Sequence, residues 1–218
     1  MKKITIARPG YPYIIAALAL GTVFLVVFPP PALLFFSLAL FFGYFFRDPE
    51  RLSPLTRDSI VSPADGRILK IEKISEPQFM QAEAWKISIF LSIFDVHINR
   101  SPYAGSILYS RYIPGKFRAA YRDDVSSGNE RNLIGLQTEH GKLLVVQIAG
   151  MLARRIVCWI KTGDTVERGA RIGMIRFGSC TELYLPLHAN IKVKEGERVR
   201  GGETIMGEFA KSYTKKCS

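Results

Sequence analysis

Three cysteines among 218 residues, Cys158, Cys180 and Cys217, are too few and odd in number for a disulfide framework, and they lack the paired spacing of a zinc site. Only three histidines are present, so any histidine-based acid or base must be His97, His140 or His188. Charge is scarce at 22% against 48% hydrophobic residues, which excludes a disordered chain. Acidic residues are missing altogether before Asp48, and no charge of either sign lies between Tyr11 and Phe46. Beyond Phe46 the reverse holds: long apolar runs and long amphipathic helical patterns are both absent, which excludes a coiled coil or helical bundle. The net charge of +11 calls for an anionic partner, but no basic helix or aromatic RNA-binding motif accompanies it, so nucleic acid is excluded in favour of lipid or an acidic substrate.

What is there begins with the uncharged stretch. Pro29, Pro30 and Pro31 divide it into Tyr11 to Phe28, 18 residues, and Ala32 to Phe46, 15 residues. Each is slightly short of the ~20 residues that span a hydrocarbon core, so crossing the bilayer and dipping into one leaflet are both open. A second apolar run directly after the first is unlike a cleaved signal peptide. Residues 1–46 therefore read as a membrane hairpin. Lys2, Lys3 and Arg8 precede it, Arg47, Arg51 and Arg57 follow it and its turn is uncharged, which puts both ends, and the domain that follows, on the cytoplasmic side of the inner membrane. That domain, 47–218, keeps 27 basic and 19 acidic residues and can lie against an anionic leaflet, with Lys211, Lys215 and Lys216 in its tail.

From Ser59 onward the apolar residues fall in short or alternating runs, such as Arg67 to Ile71, Trp85 to Ile89 and Lys142 to Ile148, separated by Gly, Asn and Pro turns. The pattern predicts a mainly β domain, with one short helix at Gly150 to Arg155. IKTGDTVERGARIG (160–173) repeats as VKEGERVRGGETIM (193–206), matching Gly163 with Gly196, Val166 with Val199, Gly169 with Gly202 and Ile172 with Ile205. This repeat resembles the hammerhead turns of lipoyl and biotinyl domains and of barrel-sandwich hybrids. No lysine stands at a hairpin tip in Met-Lys-Met or Asp-Lys-Ala, so the fold is expected without the carrier function.

Between the repeats lies RFGSCTELYLP (176–186). Together with VSPADGRI (61–68), IFDVHINRSPYAG (93–105), GNERN (128–132), the segment 147–159 and the N-terminal hairpin, it resembles the short prokaryotic branch of the phosphatidylserine decarboxylase proenzymes. The resemblance covers nearly the whole chain. It implies a chain that cleaves itself between Gly178 and Ser179 into a 1–178 β chain and a 179–218 α chain, which remain together as a heterodimer. It also implies that Ser179 becomes a covalent pyruvoyl cofactor, with no metal, and that this group forms a Schiff base with the serine headgroup of phosphatidylserine, yielding phosphatidylethanolamine and CO2. Ser179 would be the nucleophile, His97 the acid and base, and Asp65 its orienting carboxylate.

Two positions depart from the family pattern: many relatives carry a second histidine where Arg100 stands, and a basic residue or Thr where Cys180 stands. The lipid phosphate and serine carboxylate need cationic partners, for which Arg100, Arg131, Arg154, Arg155 and Arg176 are candidates. Asp95 is a further carboxylate near His97. His140 and His188 match no family motif, and a turn role suits His140. Other readings compatible with the residues are a non-catalytic membrane adaptor with a lipoyl-like sandwich, and a pyruvoyl decarboxylase for another amine-bearing acid or an ether lipid.

Overall fold

The computed structural model describes residues 3–54, 56, 58–115, 128–150, 155–176 and 179–210, the side chain of Ser179 excepted. Gly178, Arg154, Arg57, the interior of the predicted short helix and the tail lysines lie outside the described residues. The chain forms two units, Met1–Glu50 with Phe94–Val96, and Arg51–Ile93 with His97–Ser218.

In the first unit, β1 (Ile4–Ile6) leads through a single 3-10 turn into α1 (Tyr11–Val27), followed by α2 (Ala32–Phe45) and β2 (Arg47–Pro49). Helical residues Arg8–Val27 number 20, with a mean hydropathy of 2.0 and only 17% of the most apolar window buried. At 1.5 Å per residue this covers about 30 Å, the thickness of a hydrocarbon core. α2, with 14 residues, is shorter than that thickness. The prolines between them lack amide donors and cannot continue α1. Stacking of Phe24 on Phe35 (5.1 Å) and Tyr13 on Phe46 (5.4 Å) joins the helices, while Ile15, Leu18, Val23, Leu33 and Leu40 remain exposed. Antiparallel pairing of β1 with β2 returns the chain to its starting side. The Tyr44 hydroxyl and the Arg47 guanidinium both donate to the Phe94 carbonyl, at 3.1 and 2.7 Å, which fastens the Phe94–Val96 loop to this unit.

Every element described after Glu50 is a strand: β3 (Ser59–Val61), β4 (Gly66–Glu76), β5 (Ala82–Leu91), β6 (Ile98–Arg100), β7 (Gly105–Ile113), β8 (Arg131–Thr138), β9 (Gly141–Ala149), β10 (Ile156–Cys158), β11 (Thr165–Val166), β12 (Arg171–Ile175), β13 (Ser179–Pro186), β14 (Ala189–Ile191), β15 (Arg198–Val199) and β16 (Ile205–Phe209). An eight-stranded sheet runs β11-β7-β8-β9-β13-β5-β4-β15, and two three-stranded sheets run β10-β12-β6 and β14-β16-β3. Their inward side chains, among them Ile60, Ile87, Ile89, Ile134, Leu143, Leu183, Leu185 and Met206, make one core.

Matching β11 with β15, β7 with β4, β8 with β5 and β9 with β13 relates the two halves of this order by a pseudo-two-fold axis between β9 and β13. SPADG (62–66) before β4 recurs as SPYAG (101–105) before β7: Ser62 Oγ donates to Ala64 O and Ser101 Oγ to Tyr103 O, both at 2.7 Å. The bulge between Ile68 and Lys70 recurs between Ile107 and Tyr109. Gly163 and Gly196 (φ 97 and 81) donate to Ile107 O and Ile68 O, and Gly169 and Gly202 (φ 78 and 76) to Ser101 O and Ser62 O. Left-handed backbone is needed at all four, which is why glycine occupies them. The mainly β, hammerhead-turn architecture expected from the repeat is the one observed. The repeat itself needs one correction, because an extra residue after Gly202 shifts the match from there on. Ala170 O and Thr204 O accept the equivalent bonds from Ser101 N and Ser62 N, so Ile172 corresponds to Met206, not Ile205.

Candidate functional site

The pseudo-symmetry is broken at one end of the large sheet. On one side of the axis β8 and β9 are joined by a tight hairpin at Glu139 and His140, with Gly141 at φ 114. On the other side their counterparts, β5 and β13, are not consecutive. β5 ends at Leu91 and the chain leaves toward His97, while β13 arrives from β12 through residues 176–178. Ser179 is the first residue of β13, level with Leu91 on one side and Ala149 on the other.

His97 is fully buried and immediately precedes β6. Its carbonyl accepts from Ile175 N at 3.2 Å, and Ile98 pairs with Met174, so the segment leading to Ser179 lies along the segment that carries His97. Asp65 sits in the SPADG turn. Pro63 O, two residues earlier, accepts from Arg100 N at 2.8 Å, which ties this turn to β6. The Asp65 carboxylate accepts from Arg51 Nη2 (2.7 Å) and Gly201 N (2.8 Å), and Arg51 Nη1 also bonds Glu203 at 2.9 Å. In sequence Arg51 reads only as part of the positive charge after the hairpin and Glu203 carries no signal; their place beside Asp65 comes from the fold. Arg100 is buried and its Nη1 donates to Gly169 O at 2.9 Å, so it braces a hammerhead turn.

Arg131 opens β8 and lines a cavity of about 150 Å³ with Glu76, Lys86, Glu182, Tyr184 and the apolar Leu133, Leu144 and Val146, which pack with Cys180 in a buried cluster apart from that of Ile87 and Ile134. Lys86 is bonded to Glu72 at 2.9 Å and lies 3.7 Å from Glu182; burial opposes its charge, but these carboxylates outweigh that and raise its pKa. Burial, with the Glu182 charge behind it, holds the Tyr184 hydroxyl far above its ordinary range as it donates to Glu182 Oε2 at 2.8 Å. Arg176 is half-buried beyond β12, its amide donating to Arg155 O at 3.3 Å. Burial likewise raises the Cys180 thiol well above its usual value, so the side chain following Ser179 is a packing group and not a thiolate. His140 stacks on Phe209 at 4.5 Å with Asp58 and Glu139 each 3.6 Å from its Nε2, at the other end of the sheet.

A second group escaped the sequence reading. Thr181 Oγ1 accepts from Asn99 Nδ2 (3.0 Å), Asn99 Oδ1 from Gln147 Nε2 (2.8 Å), and Gln147 Oε1 from Asn132 Nδ2 (2.9 Å). All four are buried. Polar residues inside otherwise apolar strands, such as Gln147 in LLVVQIA, are the signal that could have found them. Among the described residues no cluster of metal-ligating side chains occurs.

The family model described as phosphatidylserine decarboxylase matches residues 38–207. The chain is 49% identical over 210 residues to the phosphatidylserine decarboxylase proenzyme of Symbiobacterium thermophilum, covering 96% of this chain and 98% of that one. It is 44% identical to the proenzymes of Carboxydothermus hydrogenoformans (93% and 95% covered) and Syntrophus aciditrophicus (94% and 97%).

Proposed function

Because the chain belongs to the phosphatidylserine decarboxylase family, we propose that it is a self-processing decarboxylase that converts phosphatidylserine to phosphatidylethanolamine and CO2. The observation that carries the site assignment is the convergence of Ser179, the segment led by His97 and the Asp65 turn where the sheet's symmetry is broken. Ser179 Oγ attacks the Gly178 carbonyl, the bond to the amide nitrogen breaks, and the nitrogen takes the proton, leaving an ester. Loss of the Ser179 Cα proton to a base then expels the Gly178 carboxylate, and water releases ammonia to leave a pyruvoyl group at position 179. We assign the base to His97, buried beside the incoming strand, and its orienting carboxylate to Asp65, whose turn is tied to β6 by Arg100 N on Pro63 O.

The position fits that group. A pyruvoyl terminus has no amide N–H, and position 179 begins β13, so the ladder loses one donor and keeps its pairing from Cys180 onward. Formed there, the group would supply an electrophilic carbonyl for the serine amine and an electron sink for decarboxylation. The chain's residues bind and orient the headgroup: Arg131 and Arg176 are the cations we assign to its phosphate and carboxylate. Phe94, exposed and part of the unit that carries the hydrophobic hairpin, precedes His97 by three residues in the chain. Basic residues at both ends of the hairpin favour the cytoplasmic face of the inner membrane.

Intact mass measurement of detergent-purified wild type and Ser179→Ala tests the reading. Wild type should give fragments of residues 1–178 and 179–218, the second with a blocked terminus, and release CO2 from phosphatidylserine vesicles, whereas Ser179→Ala should give one inactive chain. A folded wild type that stays whole refutes it.

A further inference from the structure

The quartet Asn132, Gln147, Asn99 and Thr181 admits a plain explanation, that buried amides satisfy one another wherever they occur. The pseudo-two-fold decides against it. The matching bulges make Ile89 the counterpart of Leu136 and Asn99 the counterpart of Ile60. Following the ladders from there, Thr181, opposite Ile89, corresponds to Leu143, opposite Leu136. By the same registers Gln147 corresponds to Leu185 and Asn132 to Trp85. Ile60, Leu143 and Leu185 are fully buried, and Trp85 packs on the same core. Of the two symmetry-related sets of positions, the one at the Gly141 hairpin end is therefore built from apolar side chains, and the fold has no need of polar ones. The polar set is the one that includes Thr181, two residues after Ser179.

Its geometry is specific. Asn132, Gln147 and Thr181 form one rung across β8, β9 and β13, and Asn99 from β6 caps it. Gly173, opposite Asn99 in β12, makes room: a Cβ there would come within 2.8 Å of Gln147 Nε2. The donors run in one direction, Asn132 to Gln147 to Asn99 to Thr181. Pairing with β5 and β9 fixes β13 within the sheet but not its height above it, and the Asn99–Thr181 bond supplies that third constraint. It joins the residue two after His97 to the residue two after Ser179.

We propose that this quartet is a positioning network whose Asn99–Thr181 bond sets the spacing between base and nucleophile for self-cleavage and, later, for decarboxylation. The proposal rests on the processing reading above. None of the four side chains is a catalytic residue; they act through His97 and Ser179.

The test replaces the network with apolar side chains, the class of residue found at the four symmetry-related positions. In the full chain in detergent, the quadruple variant Asn99→Leu, Asn132→Leu, Gln147→Leu, Thr181→Val should fold and melt no lower than wild type, since removing both partners of buried hydrogen bonds for apolar groups is near neutral. Its Gly178–Ser179 cleavage should be roughly 100-fold slower, the scale expected for a misplaced reacting group. The pH dependence of the residual cleavage should match wild type because the base is untouched. Cleavage at the wild-type rate in the folded variant overturns the proposal. Should the quadruple variant fail to fold, Thr181→Val against Thr181→Ser decides. Val slower by about tenfold or more with Ser near wild type, and in the mature fraction a lower kcat at unchanged KM, supports positioning. Equal rates for Val and Ser overturn it. An uncleaved wild type is a different failure, that of the processing reading, and takes this proposal with it.

Discussion

Cutting the chain before Ser179 should not release the 40-residue piece 179–218, and the structure sets the scale of what holds it. β13 lies in the interior of the large sheet, in register with β5 over eight residues and with β9 over six. β15 adds to β4, and β16 pairs with β3, both partners belonging to the large fragment. Seven large apolar or aromatic side chains of the small fragment are buried: Leu183, Tyr184, Leu185, Val193, Val199, Met206 and Phe209. At roughly 1.5–3 kcal/mol each, their burial contributes on the order of 10–20 kcal/mol. Association of separate chains costs about 4–15 kcal/mol in lost freedom, and after cleavage in place the fragments start docked. The ladders of β13 on both sides add to this burial, so retention should persist at micromolar dilution. Size-exclusion chromatography in mild detergent should show both fragments in one peak, separating only in guanidinium at the concentration that unfolds the sheet. A small fragment that elutes alone after simple dilution would refute this accounting, and with it the assignment of β13 as an interior strand of the mature enzyme.

Two further outcomes follow from particular side chains. Burial, reinforced by Glu139 and Asp58, raises the Tyr103 hydroxyl from 10.0 to about 12, so the fold favours its neutral form. The resulting stability is full below pH 10 and is lost as pH rises toward 12. Unfolding titrations should show Tyr103→Phe flattening that alkaline loss, and an unchanged slope would exclude Tyr103 as its source. Among the hammerhead glycines, Gly163→Ala meets open space and should cost only the left-handed backbone penalty, about 1–2 kcal/mol. Gly202→Ala must also displace Arg100, whose Cδ would lie 2.9 Å from the new Cβ, so thermal melts should rank it clearly lower; equal melts would contradict that packing.

Much of this architecture is written locally. The apolar stretch interrupted by Pro29 to Pro31 announces a hairpin, and alternation in Arg67 to Ile71 or Trp85 to Ile89 announces strands, because both signals lie within one element. The hammerhead repeat is legible because its two copies sit a nearly constant distance apart. The larger two-fold is not. Its offset is 39 residues between SPADG and SPYAG, yet differs for other strand pairs because the connecting loops differ in length, and only Ser, Pro and Gly persist between those turns. Arg51 with Asp65, and Asn99 with Thr181, join residues that no local pattern relates. His97 and Ser179 drew notice through motifs; the amides around them look unremarkable in sequence and matter only once the sheets close.

A reaction that cuts its own backbone needs a place where the cut costs little structure, and the sheet order supplies one. Interrupting β11 or β15, each two residues long, would free an edge of the sheet and the hammerhead turn it anchors. Interrupting β13 at its middle would divide the rung that carries Thr181. At its first residue the cut leaves pairing from Cys180 onward intact on both sides, while the chain before it stays held by Ile175 N on His97 O and Arg176 N on Arg155 O. The same end holds the buried His97, three residues after Phe94 in the chain. The opposite end, closed by the Gly141 hairpin, has neither feature. A duplicated fold thus offers two equivalent ends, and only the one whose strands are not joined by a hairpin combines a place where a break costs little pairing with a buried histidine.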